Sequence, residues 1–337
     1  MIRSNLFVVV LFIAITIVVV VEVSGNNKKI EKEVFAEPAD SSWVAPSLYT
    51  DAVTTGEQRA MIIYGEDLIA NTAKYLGPHG SVLQISNGMN CQNCHLDAGK
   101  KPWGNNYGGV YSTYPKFRAR SGTVENIYKR VNDCLERSLN GMALDTNSYE
   151  MQSIYAYMKW LAQDVPKNKK PYGAGLPTLP YLNRAADPQK GRLVYNNACQ
   201  SCHGINGDGL LSADSVSYTY PPLWGNKSYN DGAGLFRLSR FSSFVKNNMP
   251  FKIASHNKPA LTDEEAWDVA AFVNTQPRTH KDQSGDWKDI STKSVDEPFG
   301  PYADNFSETQ HKLGPYQPIV LAQKNKSVGK KTNSKNL

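Results

Sequence analysis

Cysteine is scarce, five residues in 337, too few to staple a disulfide scaffold and unnecessary in a chain long enough to bury cores of its own. Charge of one sign is lacking as well, with 37 Lys and Arg against 31 Asp and Glu and a net charge of +6. Part of that excess sits in the run Lys324 to Lys335, which has no aromatics and no apolar periodicity and reads as a solvated, disordered tail. Basic residues are not interleaved with aromatics as in single-strand binders, so nucleic acid is excluded as a partner and small anions remain. Long hydrophobic runs are missing except for Leu6 to Val21, preceded by Arg3 and ended by Glu22.

That one run is somewhat shorter than the about 20 residues of a membrane span, and Val23-Ser24-Gly25 supplies small residues for cleavage. Residues 1–25 are therefore expected to be a signal peptide or an uncleaved membrane anchor, placing the chain in the periplasm. Residues 26–50, rich in charged and small side chains, read as a flexible leader. Length alone predicts two domains.

Four of the five cysteines form Cys91-Gln-Asn-Cys94-His95 and Cys199-Gln-Ser-Cys202-His203, two copies of C-x-x-C-H. The spacing suits covalent attachment of haem c, with two thiols for the vinyl groups and the adjacent histidine as proximal iron ligand. A disulfide framework leaves both histidines unexplained, and a zinc ribbon needs its knuckles far closer together. His79, His256, His280 and His311 show no ligand spacing and are assigned surface or packing roles.

Each motif follows a helical stretch, 56–76 and then 188–198, the latter opened by Asp187 as N-cap and Pro188 at the first helical position. Each is also followed by an amphipathic helix, 148–162 with Met151, Ile154, Tyr155 and Met158 on one face, then 262–273 with Thr262 and Glu265 as a capping box. This order resembles class I cytochromes c. The expected fold is all-α, a tandem of two such domains (51–180 and 181–280) joined by a Pro/Gly linker over 164–180. Residues 281–337 are read as an irregular, wrapping extension without much helix, packed through Trp287, Phe299, Tyr302, Phe306 and Tyr316, and ending in the basic tail.

The sixth iron ligand decides between electron transfer and chemistry. In the second half Met249, before Pro250, is the expected ligand. In the first half spacing favours Met142, whereas chemistry favours Cys134, the cysteine left without a partner. A helix threaded over 123–140 turns Ile127 and Val131 to the core and stacks Arg130, Cys134 and Ser138. An arginine one turn away lowers a thiol's pKa, and a thiolate is both iron ligand and nucleophile; a small buried hydrophobe beside a solvated charged face is the plainer alternative.

Phe117-Arg-Ala-Arg-Ser-Gly122, Arg130-Val-Asn-Asp-Cys134-Leu-Glu-Arg-Ser138 and Asn140-Gly141 resemble the thiosulfate dehydrogenases, dihaem enzymes that couple two thiosulfates into tetrathionate. The likeness continues through Tyr220-Pro-Pro-Leu-Trp-Gly225, Asn248-Met249-Pro250, Pro298-Phe-Gly-Pro-Tyr302 and Gln310-His311. It implies two covalent haems, Cys134 as catalytic sixth ligand of the first, Arg120 and Arg130 binding the dianion, Ser138 adding a hydrogen bond, and an external carrier such as another cytochrome c. Some relatives carry lysine, an alternative iron ligand, where this chain has Asn248. A non-catalytic dihaem electron carrier is the competing reading, and a sulfur-oxidation cytochrome acting on a carrier protein is another.

Overall fold

A computed structural model describes residues 43–48 and 56–333. The expected export segment, most of the leader and residues 334–337 lie outside the described residues. No helix among the described residues is long and apolar enough to cross a membrane.

In the first half, α1 (Gly56–Ala70) and α2 (Thr72–Leu76) precede the first C-x-x-C-H, followed by the single turns α3 (Leu96–Gly99) and α4 (Val110–Thr113). The strands β1 (Lys116–Arg118) and β2 (Thr123–Glu125) then pair antiparallel, and α5 (Ile127–Arg137) and α6 (Tyr149–Leu161) complete the half. The helix over 56–76 is divided at Asn71, whose φ of −126° is not helical and whose side chain donates back to Asp67 Oδ1 at 2.6 Å; Asn competes locally with the helical ladder. The helix threaded over 123–140 starts only at Ile127, because Val124 pairs with Phe117 and Asn126 caps, its Oδ1 accepting from Lys129 N at 2.9 Å. Ile127 and Val131 do face the core.

The second half repeats the plan with α7 (Pro188–Ala198), α8 (Gln200–His203), the two-stranded pair β3 (Leu210–Leu211) and β4 (Tyr218–Tyr220), α9 (Leu238–Asn248) and α10 (Asp263–Asn274). Asp187 Oδ1 accepts from Gln189 N at 2.8 Å, and Thr262 with Glu265 forms the capping box. In both halves the first helix crosses the last at a glycine. A Cβ on Gly65 would stand 2.1 Å from Ser153 O, and one on Gly191 1.9 Å from Asp268 O, so only hydrogen permits these backbones to meet.

Leu96 of the first half packs into the core built around Tyr195 and Trp267, while Tyr218 of the second packs into the core around Ile62 and Tyr157. The halves thus form one compact body. The linker stays irregular and is pinned to the first half, Gly173 O accepting from Trp103 N at 2.8 Å and Gly175 O from Asn105 N at 3.0 Å. The last leader residues are docked, contrary to expectation: Trp43 N donates to Tyr172 O at 2.8 Å, and the indole lies against Gly108.

Asp268, 3% exposed, accepts two hydrogen bonds of 2.8 Å from Arg184 and one from Asp187 N, tying the linker end to the α7–α10 crossing. Without this carboxylate the Asp187 amide loses its acceptor, while the partly exposed Arg184 keeps Glu264 at 3.6 Å. Asp268→Ala is expected to lose about 1–3 kcal/mol, read as a lower denaturant midpoint of the holoprotein.

Apart from a 3-10 turn at Ile290–Thr292 the extension is irregular as far as Phe306, but α11 (Glu308–Leu313) and α12 (Gln317–Asn333) give it more helix than expected. The tail over 324–333 continues α12 instead of dissolving. Ile319, fully buried in the second core, and Tyr316 anchor its start, and Pro318 is tolerated in the first turn, where amides lack partners. The aromatics pack as expected: Phe299 stacks on Phe236 at 5.8 Å and Tyr302 on buried His311 at 3.7 Å.

Candidate functional site

Both C-x-x-C-H histidines present the same chemistry. His95 Nδ1 donates to Asn105 O at 2.6 Å and His203 Nδ1 to Pro221 O at 2.8 Å, a tautomer that leaves Nε2 for a metal. Burial, helped by Arg130, lowers His95 to about 4 against the Asn105 hydrogen bond. Burial likewise lowers His203, so both imidazoles are neutral donors. The cysteines are unpaired, and burial pushes Cys91 to about 11, Cys94 to about 12 and Cys199 to about 11. Among the described residues no three His, Cys, Asp or Glu side chains converge on a point that could hold a metal ion.

An apolar cavity opens on Cys199, Cys202, His203 and Met249 between walls that include Phe241 and Val245. Two thiols, an imidazole and a thioether in an apolar slot are the donor set of a haem c. Met89, Asn93 and Cys94 of the first half form part of the same wall. Nothing in the sequence pattern brings the first C-x-x-C segment to the second cavity; it follows from how the halves dock.

In the first half α5 carries Arg130 and Cys134 on one face. Cys134 is the main reason the Arg130 guanidinium is held above its ordinary value, and a charge on Cys134 is also felt by Cys91, Cys94, Tyr107 and Tyr114. Tyr107, buried, lies over the His95 ring with centroids 4.5 Å apart. Thus Cys134, Arg130 and the first C-x-x-C-H share one site. Ser138 closes the helix, its amide donating to Cys134 O at 2.8 Å. Met142, the ligand that spacing favours, is 59% exposed, which removes it from the site.

Arg120 enters from the β1–β2 turn. Its Nη1 donates to Gly232 O at 3.1 Å, its Nε is 4.0 Å from Asp286, and its guanidinium lies over Trp287. Burial and the nearby Arg137 lower its pKa against the pull of Glu297 and Asp286. Arg137, which sequence reasoning passed over, shares Asp286 and the Gly232 carbonyl with Arg120. It forms a bidentate pair with Asp286 at 2.8 and 2.9 Å, while Asn230 N caps its carbonyl at 3.0 Å. The second half thereby satisfies the end of α5, which a helix cannot do alone. Lys116 was missed too. Half-buried on β1, it is lowered to about 8 by burial and by the neighbouring cations Arg118, Lys170 and Arg130.

Residues 83–166 match the family model described as SoxA/TsdA, cytochrome c domain, and residues 188–277 the cytochrome c model. The chain is 40% identical over 198 residues to the thiosulfate dehydrogenase of Allochromatium vinosum, covering 58% of this chain and 71% of that protein. It is 37% identical over 206 residues to that of Psychrobacter arcticus, covering 60% of this chain and 61% of the relative. Among solved structures, thiosulfate dehydrogenase (TsdBA) from Marichromatium purpuratum superposes with a TM-score of 0.63 at 31% identity, covering 69% of this chain and 49% of that one. The chain therefore spans about half the length of that solved relative. The tandem cytochrome c fold and the two covalent haems read from the paired motifs are borne out.

Proposed function

The chain belongs to the thiosulfate dehydrogenase family of dihaem c-type cytochromes, and from that premise we propose that it couples two thiosulfates into tetrathionate at Cys134, or runs the reverse reduction. The observation that carries this reading is the Arg130–Cys134 pair set beside Cys91, Cys94 and His95. Cys91, Cys94, Cys199 and Cys202 would hold the two haems, and His95 with Cys134 would hold the iron of the first and His203 with Met249 that of the second. Bound there, the haems supply one-electron acceptors, the second at the higher potential because of its methionine.

The chain's own residues then do the following. Arg130 and Arg120 bind a thiosulfate dianion, and Ser138 adds a hydrogen bond. The Cys134 thiolate joins the outer sulfur of that thiosulfate, forming a sulfur–sulfur bond and giving up two electrons. A second thiosulfate attacks the same sulfur, forming tetrathionate and releasing Cys134 as thiolate. Electrons leave through the second half to an external carrier such as another cytochrome c, in the periplasm, with the chain free or anchored by its N-terminal segment. The exposed Met142 counts against the plain electron carrier, which needs ordinary ligands in both halves.

Lys116 adds a pH signature. Because its pKa is lowered to about 8, it is charged below that pH and neutral above. Attraction of a dianion is expected to fall as pH rises through about 8, so kcat/KM for thiosulfate declines there, and Lys116→Met removes that limb of the profile.

The test of the reading is turnover of purified protein with thiosulfate and an artificial acceptor, and with tetrathionate and a reduced donor. Activity in either supports it and the ratio gives the direction; two silent assays with both haems attached would return the chain to the electron carriers.

A further inference from the structure

The Asn105 carbonyl that accepts from His95 and the Trp103 carbonyl that accepts from Asn248 belong to one short loop. Asn248 immediately precedes Met249, so a single stretch of backbone holds the proximal side of one haem site and the distal side of the other. We propose that the Trp103–Asn105 segment couples the two haem sites mechanically, with Asn248 as the positioning residue that sets Met249 against it. This rests on the axial ligands assigned above.

Asn248 is fully buried at the end of α9, where Nδ2 donates to Trp103 O at 3.0 Å and to Phe244 O at 3.1 Å. Its Oδ1 has no partner among the described residues. A buried amide with half its hydrogen-bonding capacity unused is a poor core residue, so its value lies in the bonds it donates, one of which crosses between the halves.

The receiving loop is built to be stiff. Trp103 and Asn105 are both left-handed, with φ of 58° and 59°, a conformation that persists in a tryptophan only where the surroundings over-determine it. They do so here: Gly173 O and Gly175 O hold the two amides, and the rings of His256 and Tyr172 stand 4.5 and 5.0 Å from the indole. A rigid clip transmits a displacement at Met249 to the His95 hydrogen bond. Since that bond raises the basicity of the imidazole, loosening it favours the reduced first haem.

The experiment is potentiometric titration of both haems in the holoprotein and in Asn248→Leu, which keeps the branched shape and removes the donors. The result expected is opposite shifts. The second haem falls in potential, a tenfold weaker hold of Met249 on reduced iron being about 59 mV for one electron, while the first haem rises. Ser242→Ala, which deletes a buried hydroxyl bonded within α9 to Ser239 O, moves neither. A shift confined to the second haem would overturn the coupling, and no shift at either would overturn the positioning role. If unaltered ferric protein lacks the red-edge absorption of methionine-ligated haem, the ligand assignment falls, and the coupling with it. Should Asn248→Leu not load its haems, Trp103→Gly, which keeps the carbonyl but frees the loop, carries the same test of the first haem.

Discussion

Cys134→Gly is expected to lower thiosulfate turnover by at least about a thousandfold, the scale on which removing a nucleophile acts, while both haems remain attached. Attachment depends on Cys91, Cys94, Cys199 and Cys202, none of which touches α5 through a covalent bond. Glycine costs about 1 kcal/mol inside a helix, so Cys134→Ala is the companion that separates chemistry from loss of helix. Steady-state assays with haem content measured on the same samples check this; a variant with full haem and substantial activity would remove Cys134 from the mechanism.

Arg130→Lys is expected to lower kcat/KM by about a hundredfold or more, as loss of a preorganised charge clamp does. Bringing two dianions together is the electrostatic difficulty of the reaction, since even two unit charges about 4 Å apart repel by about 4 kcal/mol at an effective dielectric of 20. The charges that act on Arg130 come first from Cys134 and then from Tyr114, Asp133 and Glu125; a sulfonate would be held by its planar fork, which a lysine cannot reproduce. Arg120 already donates to Gly232 O and lies 4.0 Å from Asp286. Its replacement by lysine should therefore cost less than the same change at Arg130, measured as the ratio of the two kcat/KM losses at fixed ionic strength.

Signals that act within a few residues were legible in the sequence. Asp187 before Pro188, Thr262 with Glu265, and the two C-x-x-C-H segments each specify local geometry, and the structure places them as read. What was not legible depends on distant pairing. The β1–β2 ribbon needs Phe117 to meet Val124, and that pairing cut short a helix that periodicity alone would extend from Thr123. Arg137 sits inside the motif that carries the family resemblance, yet its role needs Asp286 to arrive from the extension. Pro318 and the lysine-rich end hid α12, whose start is fixed by burying Ile319 in a core formed elsewhere in the chain. Met89 and Cys94 reach the second cavity only because the halves exchange Leu96 and Tyr218 across their boundary.

If sulfur–sulfur coupling proceeds on Cys134, mass spectrometry of the Cys134 peptide captures the bond while it exists. Oxidised protein is exposed to a limiting amount of thiosulfate, quenched in acid and digested. The Cys134 peptide is expected to gain the mass of one thiosulfate and to lose it again when excess thiosulfate is added before the quench, with tetrathionate appearing in step. Tetrathionate formed while Cys134 stays unmodified throughout would place the coupling elsewhere.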